Sequence, residues 1–184
     1  MSSFFYTNVD RGAKHYPIPH GPTSDKTVEI LHNHRLLAEQ IWPSEAVKLI
    51  DSNATVTTVG VESPTLKLRA TFTSLDNGVL LQEAAVMGFG VQVQWTVVDS
   101  GGHSTCSSVQ VPEECLYSTA FLEENVRVSC LKVVDRFLNF ADDFNPKTKC
   151  PIEFLERVAN GEISMEDLKV IGRGCGGTER LKHE

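Results

Sequence analysis

The chain has 184 residues and a formal net charge of −7, with 41% hydrophobic and 22% charged residues. That length suits one domain with a modest extension, able to bury roughly 70% of the surface its unfolded form exposes. The acidic balance without a basic stripe argues against nucleic-acid binding, and no apolar run approaches the roughly 18 residues of a membrane span.

Residues 1–10 lack a basic region followed by an apolar run, so no secretory leader is expected and the expected setting is cytoplasmic. The five cysteines, Cys106, Cys115, Cys130, Cys150 and Cys175, are odd in number and show no C-x-x-C spacing. That pattern opposes a zinc site and a disulfide framework, and reads as reduced thiols.

In chain order, the aromatic opening of residues 1–10 reads as a strand, and the proline-rich stretch from Tyr16 to Thr23 as irregular. Thr23 or Ser24 can cap a helix over 26–41, where Val28, Leu31, Leu36, Leu37 and Ile41 recur at helical spacing. Trp42-Pro43 ends it, and a short helical turn is expected over 44–50. The period then changes to two. Strands are predicted over 55–61, 66–72, 79–86, 91–97, 105–111 and 116–127, an antiparallel meander. Asp76-Asn77-Gly78 marks a turn in which glycine would supply positive φ. A long amphipathic helix is predicted over 129–144, with Cys130, Val133, Val134, Phe137, Phe140, Ala141 and Phe144 on its apolar stripe. Small helices over 152–159 and 164–171 precede a glycine-rich, charged tail.

The fold class expected is therefore α+β, with a mostly antiparallel sheet covered by helices. The run Ile18-Pro19-His20-Gly21-Pro22-Thr23-Ser24-Asp25-Lys26-Thr27-Val28-Glu29-Ile30-Leu31-His32-Asn33-His34 resembles the opening of a fungal family of unknown function. Leu116-Tyr117 followed by Glu123-Glu124-Asn125-Val126-Arg127-Val128-Ser129-Cys130 is similar to that family's last strand running into its final helix. The resemblance covers about residues 4–144. The family is regarded as START-like, the helix-grip fold of pollen-allergen-type and polyketide-cyclase proteins. The resemblance implies a curved antiparallel sheet wrapped around a long C-terminal helix, with a ligand cavity between them. The chain departs from the family after Phe144 and at the Trp42-Pro43-Ser44-Glu45 junction, which leaves the cavity entrance open. A START-like domain over 1–145 and a helical extension with tail over 146–184 are expected.

No cofactor motif is present. Gly172-Arg173-Gly174-Cys175-Gly176-Gly177 trails a helix rather than leading into one, which does not suit phosphate. His32 and His34 lie about 200° apart around a helix and cannot share a metal. No metal and no cofactor are expected. The candidate acids and bases are His34 with Glu39, Glu83 and Tyr117. Glu83 shares its face with Val79 and Leu81, and a buried carboxyl can serve as an acid. Phe72, Phe89, Trp95, Phe121 and Phe137 are the expected apolar lining, with Arg69 a polar candidate on the opposite strand phase. The competing readings are a packed core for the aromatics, a solvated sheet face for Arg69 and local hydrogen bonding for the histidines. The glycine pair Gly88 and Gly90 favours a bent sheet, and hence a cavity. The expected ligand is a small hydrophobic molecule. It would be the substrate of a cofactor-independent cyclase, isomerase or dehydratase of polyketide- or terpenoid-like metabolism, or the cargo of a non-catalytic carrier or sensor. A homodimer is compatible with the composition.

Overall fold

Wherever apolar residues alternate with polar ones, the chain pairs as strand, and the two phases of that alternation separate a covered face from an exposed one. In the computed structural model, which describes residues 6–42, 44–64, 67–85, 89–99, 120–131, 147 and 149–163, this yields one seven-stranded antiparallel sheet. The strands are β1 (Tyr6–Pro17), β2 (Val47–Ser52), β3 (Val56–Glu62), β4 (Lys67–Leu75), β5 (Gly78–Ala85), β6 (Gly90–Asp99) and β7 (Ala120–Leu131). Their order across the sheet is β1-β7-β6-β5-β4-β3-β2. Strands β2 to β7 follow one another as neighbours, and β1 closes against β7. The helices are α1 (Ser24–Leu31), α2 (His34–Ile41) and α3 (Lys149–Ala159). The α+β class is as expected. Among the described residues no helix is long and apolar enough to cross a membrane.

The inner face of the sheet carries Val59 and Val61, Ala70 and Phe72, Val79 and Leu81, Val93 and Trp95, and Leu122 and Val128. Helix α1 lies over β5 and β6, and α2 over β2 and β3. Trp95 and Phe72 are both fully buried, each stabilising the fold by about 2–3 kcal/mol through the apolar area it removes from water. Helix α3, from the expected extension, packs Phe154 and Leu155 against Ile30 of α1 and Leu36 of α2.

Three elements depart most from the sequence reading. The single helix over 26–41 is two helices. Asn33 leaves helical geometry (φ −78°, ψ 73°), and its side-chain oxygen accepts from the Leu36 amide at 3.4 Å, capping α2. The helical turn over 44–50 is one 3-10 turn, Ser44–Ala46, followed by β2, because Val47, Lys48 and Leu49 pair with Val61, Gly60 and Val59. Strand β7 runs on to Leu131, past the predicted helix start at 129. Ser129 and Cys130 continue its period-two pattern and pair with Asn8 and Thr7 of β1. The remainder of that helix, the strand over 105–111 and the helix over 164–171 lie outside the described residues.

Gly78 differs in its reason. Its φ is not positive, unlike that of Gly12, Gly21 and Gly161. A Cβ there would lie 2.0 Å from the Trp95 carbonyl oxygen. The residue is glycine because the β5 and β6 backbones approach each other at that point.

Candidate functional site

Among the described residues, three polar groups interrupt the apolar inner face. The first is built on His34, the opening residue of α2, which the Asn33 cap turns down onto the sheet. Its Nδ1 lies 3.1 Å from Thr57 Oγ1 and its Nε2 3.1 Å from Ser74 Oγ. Its ring stacks on Phe72, with centroids 5.8 Å apart. Thr57 Oγ1 is in turn 3.1 Å from Ser52 Oγ. His32 ends α1, and its Nε2 lies 3.0 and 2.9 Å from the Leu75 and Gly78 carbonyl oxygens. Two acceptors require that nitrogen to carry a proton and donate.

His34 is 5% exposed. Burial, and then the neighbouring His32, push its pKa down to about 4. The N-terminal end of α2 also disfavours a cation there. The imidazole is therefore neutral at physiological pH. A Ser74 hydroxyl donating to Nε2, with Nδ1–H donating to Thr57, has the outline of a nucleophile, base and orienting group. The orienting group is a hydroxyl rather than a carboxylate, and a base of pKa about 4 drives proton removal poorly. The chemistry fits a neutral clamp that fastens α2 to β3 and β4. Glu39 does not join it. Positions 34 and 39 are about 140° apart around a helix, and Glu39 accepts from Arg35 Nε at 3.1 Å on the outer side of α2.

The second group is Glu83, 8% exposed on the inner phase of β5. The Lys147 ammonium donates to both of its carboxylate oxygens. Glu83 therefore acts here as an ion-paired acceptor, and donating a proton would require it to give up Lys147.

The third is a pair that sequence reasoning missed. Glu124, 2% exposed, lies opposite Trp95 of β6 on the inner face of β7. The Tyr16 hydroxyl of β1 donates to it. Burial first, and then the charge and hydrogen bond of Glu124, push the phenol up to about 12. The signal was present in the strand alternation, since Leu122, Glu124, Val126 and Val128 share one phase. Glu123, on the other phase, meets His15 Nε2 at 3.2 Å on the outer face.

Of the expected lining, Phe72 and Trp95 lie in the inner core and partly buried Phe89 packs against it. Phe121 is buried but on the outer phase of β7, its ring edge-on to His15 at 5.1 Å. Arg69 is exposed on the outer face of β4. Gly90 is paired between Ala84 and Ser129. Tyr117, Phe137 and Gly88 lie outside the described residues. Among the described residues no three His, Cys, Asp or Glu side chains are grouped to hold a metal. No protein-family model matches the chain, and no curated protein matches its sequence.

Proposed function

We propose that the chain holds a small hydrophobic metabolite between the inner face of the sheet and its helical cover, in the manner of START-like helix-grip proteins. It acts on that molecule without a cofactor, as a cyclase, isomerase or dehydratase of polyketide- or terpenoid-like substrates. The observation that carries this reading is the set of ionisable side chains on an otherwise apolar face, buried Glu83, Glu124 and His34 and partly buried Tyr16. Apolar sites with a few placed polar groups are how proteins orient small molecules, and buried ionisable groups concentrate at such sites. The strand order, with two short helices between β1 and β2, is consistent with the helix-grip layout implied by the 18–34 motif.

In this reading Tyr16 and Glu124 are the working pair. A phenol held protonated donates to a developing oxyanion, while the carboxylate beside it accepts a proton. A second reading, a non-catalytic carrier or sensor, is favoured by one observation. His34 and Glu83 already have partners of their own, Ser74 and Thr57 for one and Lys147 for the other.

Native mass spectrometry of the protein purified from its own source, with extraction of what co-purifies, tests both readings. One bound apolar molecule per chain is expected. Turnover of that molecule by the wild type, lost in Glu124→Gln with binding retained, supports the enzyme. Binding without turnover supports the carrier. A clean apo mass with no uptake from a metabolite extract refutes both.

A further inference from the structure

On the outer face of the sheet, away from the groups above, lies a groove of about 490 Å³. That volume is within the range of small-molecule sites. One register row builds it. Lys48 of β2 pairs with Gly60 of β3, Gly60 with Arg69 of β4, and Arg69 with Ala84 of β5. Two cations therefore flank a residue with no side chain, about 10 Å apart at their Cα atoms, or two strand spacings. The β2 bulge turns Ile50 over this gap. Its Cδ1 lies 3.3 Å from where a Gly60 Cβ would be, and the residue stays 52% exposed. Lys67 at the rim is occupied by Glu62 at 3.0 Å. The Arg69 guanidinium has no ion-pair or hydrogen-bond partner among the described residues. Three cations face one carboxylate in this groove, on a chain whose net charge is −7.

We infer that this groove binds a small amphipathic monoanion, an acid with an apolar body and a single carboxylate head. The Arg69 fork and the Lys48 ammonium take the head, because a guanidinium matches a carboxylate in two parallel hydrogen bonds. The body lies on Ile50, Gly60 and Ala84, where it covers apolar surface that water otherwise wets. Each half of the ligand alone binds only weakly, since an exposed ion pair contributes little and the apolar floor is small.

Decanoate and its uncharged analogue decanol serve as probes, with binding followed by amide shifts of the nitrogen-15-labelled full chain. Decanoate is expected to shift the amides of residues 48–50, 60–62, 67–69 and 84, and to bind about tenfold more tightly than decanol. Arg69→Gln should remove that preference and leave decanol binding unchanged. Gly60→Val should abolish binding of both, because the added side chain fills the floor. Its fold is expected to survive, since the atom nearest an added Cβ is the flexible end of Ile50 and valine suits a strand. Thermal unfolding of each variant confirms that it is folded. Equal affinity of wild type and Arg69→Gln for decanoate would overturn the inference. So would shifts confined to the inner face around Trp95 and Glu124, an outcome that leaves the inner-face reading standing. A dimer in light scattering that buries residues 48–50 would also overturn it, because a second copy would then be the occupant.

Discussion

Between pH 7 and pH 4 the folded chain resists protonation of a histidine that the unfolded chain protonates freely. His34 titrates at about 4 in the fold against 6.5 in an unperturbed side chain. In that window the unfolded state binds more protons, so stability falls as the pH falls. The two values together give a loss of about 2 kcal/mol at pH 5 and a ceiling of about 3 kcal/mol below pH 4. Carboxylates and the other histidines titrate over the same range, so the measurement must isolate one residue. Urea unfolding of wild type and His34→Gln at pH 7 and pH 5 does this, because contributions from groups that do not interact with His34 cancel in the difference. Glutamine keeps a hydrogen-bonding side chain between Thr57 and Ser74 but cannot charge. The variant is expected to be less stable than wild type at pH 7, by about 1–2 kcal/mol for the disturbed buried hydrogen bonds. Between pH 7 and pH 5 it should lose about 2 kcal/mol less than wild type does. Equal losses in the two proteins, or an imidazole that titrates near 6.5 by NMR, would refute the reasoning.

Three further outcomes follow from the packing. Gly78→Ala places a methyl group 2.0 Å from the Trp95 carbonyl oxygen, so the β5–β6 backbones must separate, and thermal unfolding should show a loss of at least about 2 kcal/mol. Lys147→Met leaves the Glu83 carboxylate buried without its cation and should cost about 3 kcal/mol, whereas the double variant with Glu83→Gln should recover most of that; a double variant no better than the single would disprove the coupling. For Tyr16, whose phenol is raised from 10.0 to about 12, the folded state holds its proton longer than the unfolded state. Stability is therefore full below pH 10 and is lost as the pH rises towards 12, a slope that Tyr16→Phe should flatten in alkaline urea titrations.

Much of the sheet was legible because period two survives tertiary context. Val59 and Val61, Ala70 and Phe72, and Val93 and Trp95 fall on the inner face that their alternation assigns. Arg69 falls on the outer face by the same rule. Helical spacing was less decisive. Apolar residues recur on both sides of Asn33, so periodicity alone does not reveal that its side chain ends one hydrogen-bond ladder and begins another. Strand β2 was hidden because an edge strand satisfies few packing rules of its own, and its identity comes from pairing with β3. The site was half legible. Glu83 was found by its strand phase, but its partner Lys147 is far away in sequence and follows a segment with no pattern that points back to β5. Glu124 was overlooked although its phase matches Leu122 and Val126, since Glu123 and Glu124 are chemically alike and only register separates them.

The pairing of β1 with β7 has a consequence for the order in which the molecule is made. β1 precedes the other described strands in the chain, yet among the described residues it pairs with β7, with Tyr6 opposite Leu131. Strands β2 to β7 are each neighbour to the next in sequence and can zip together as they emerge. Until β7 is available, β1 lacks the sheet edge on which it pairs, and closing so long a loop is the slow, entropically expensive step. β1 is therefore secured only after the strands that follow it, and a chain interrupted before β7 is complete would leave the strand hydrogen bonds of β1 unsatisfied.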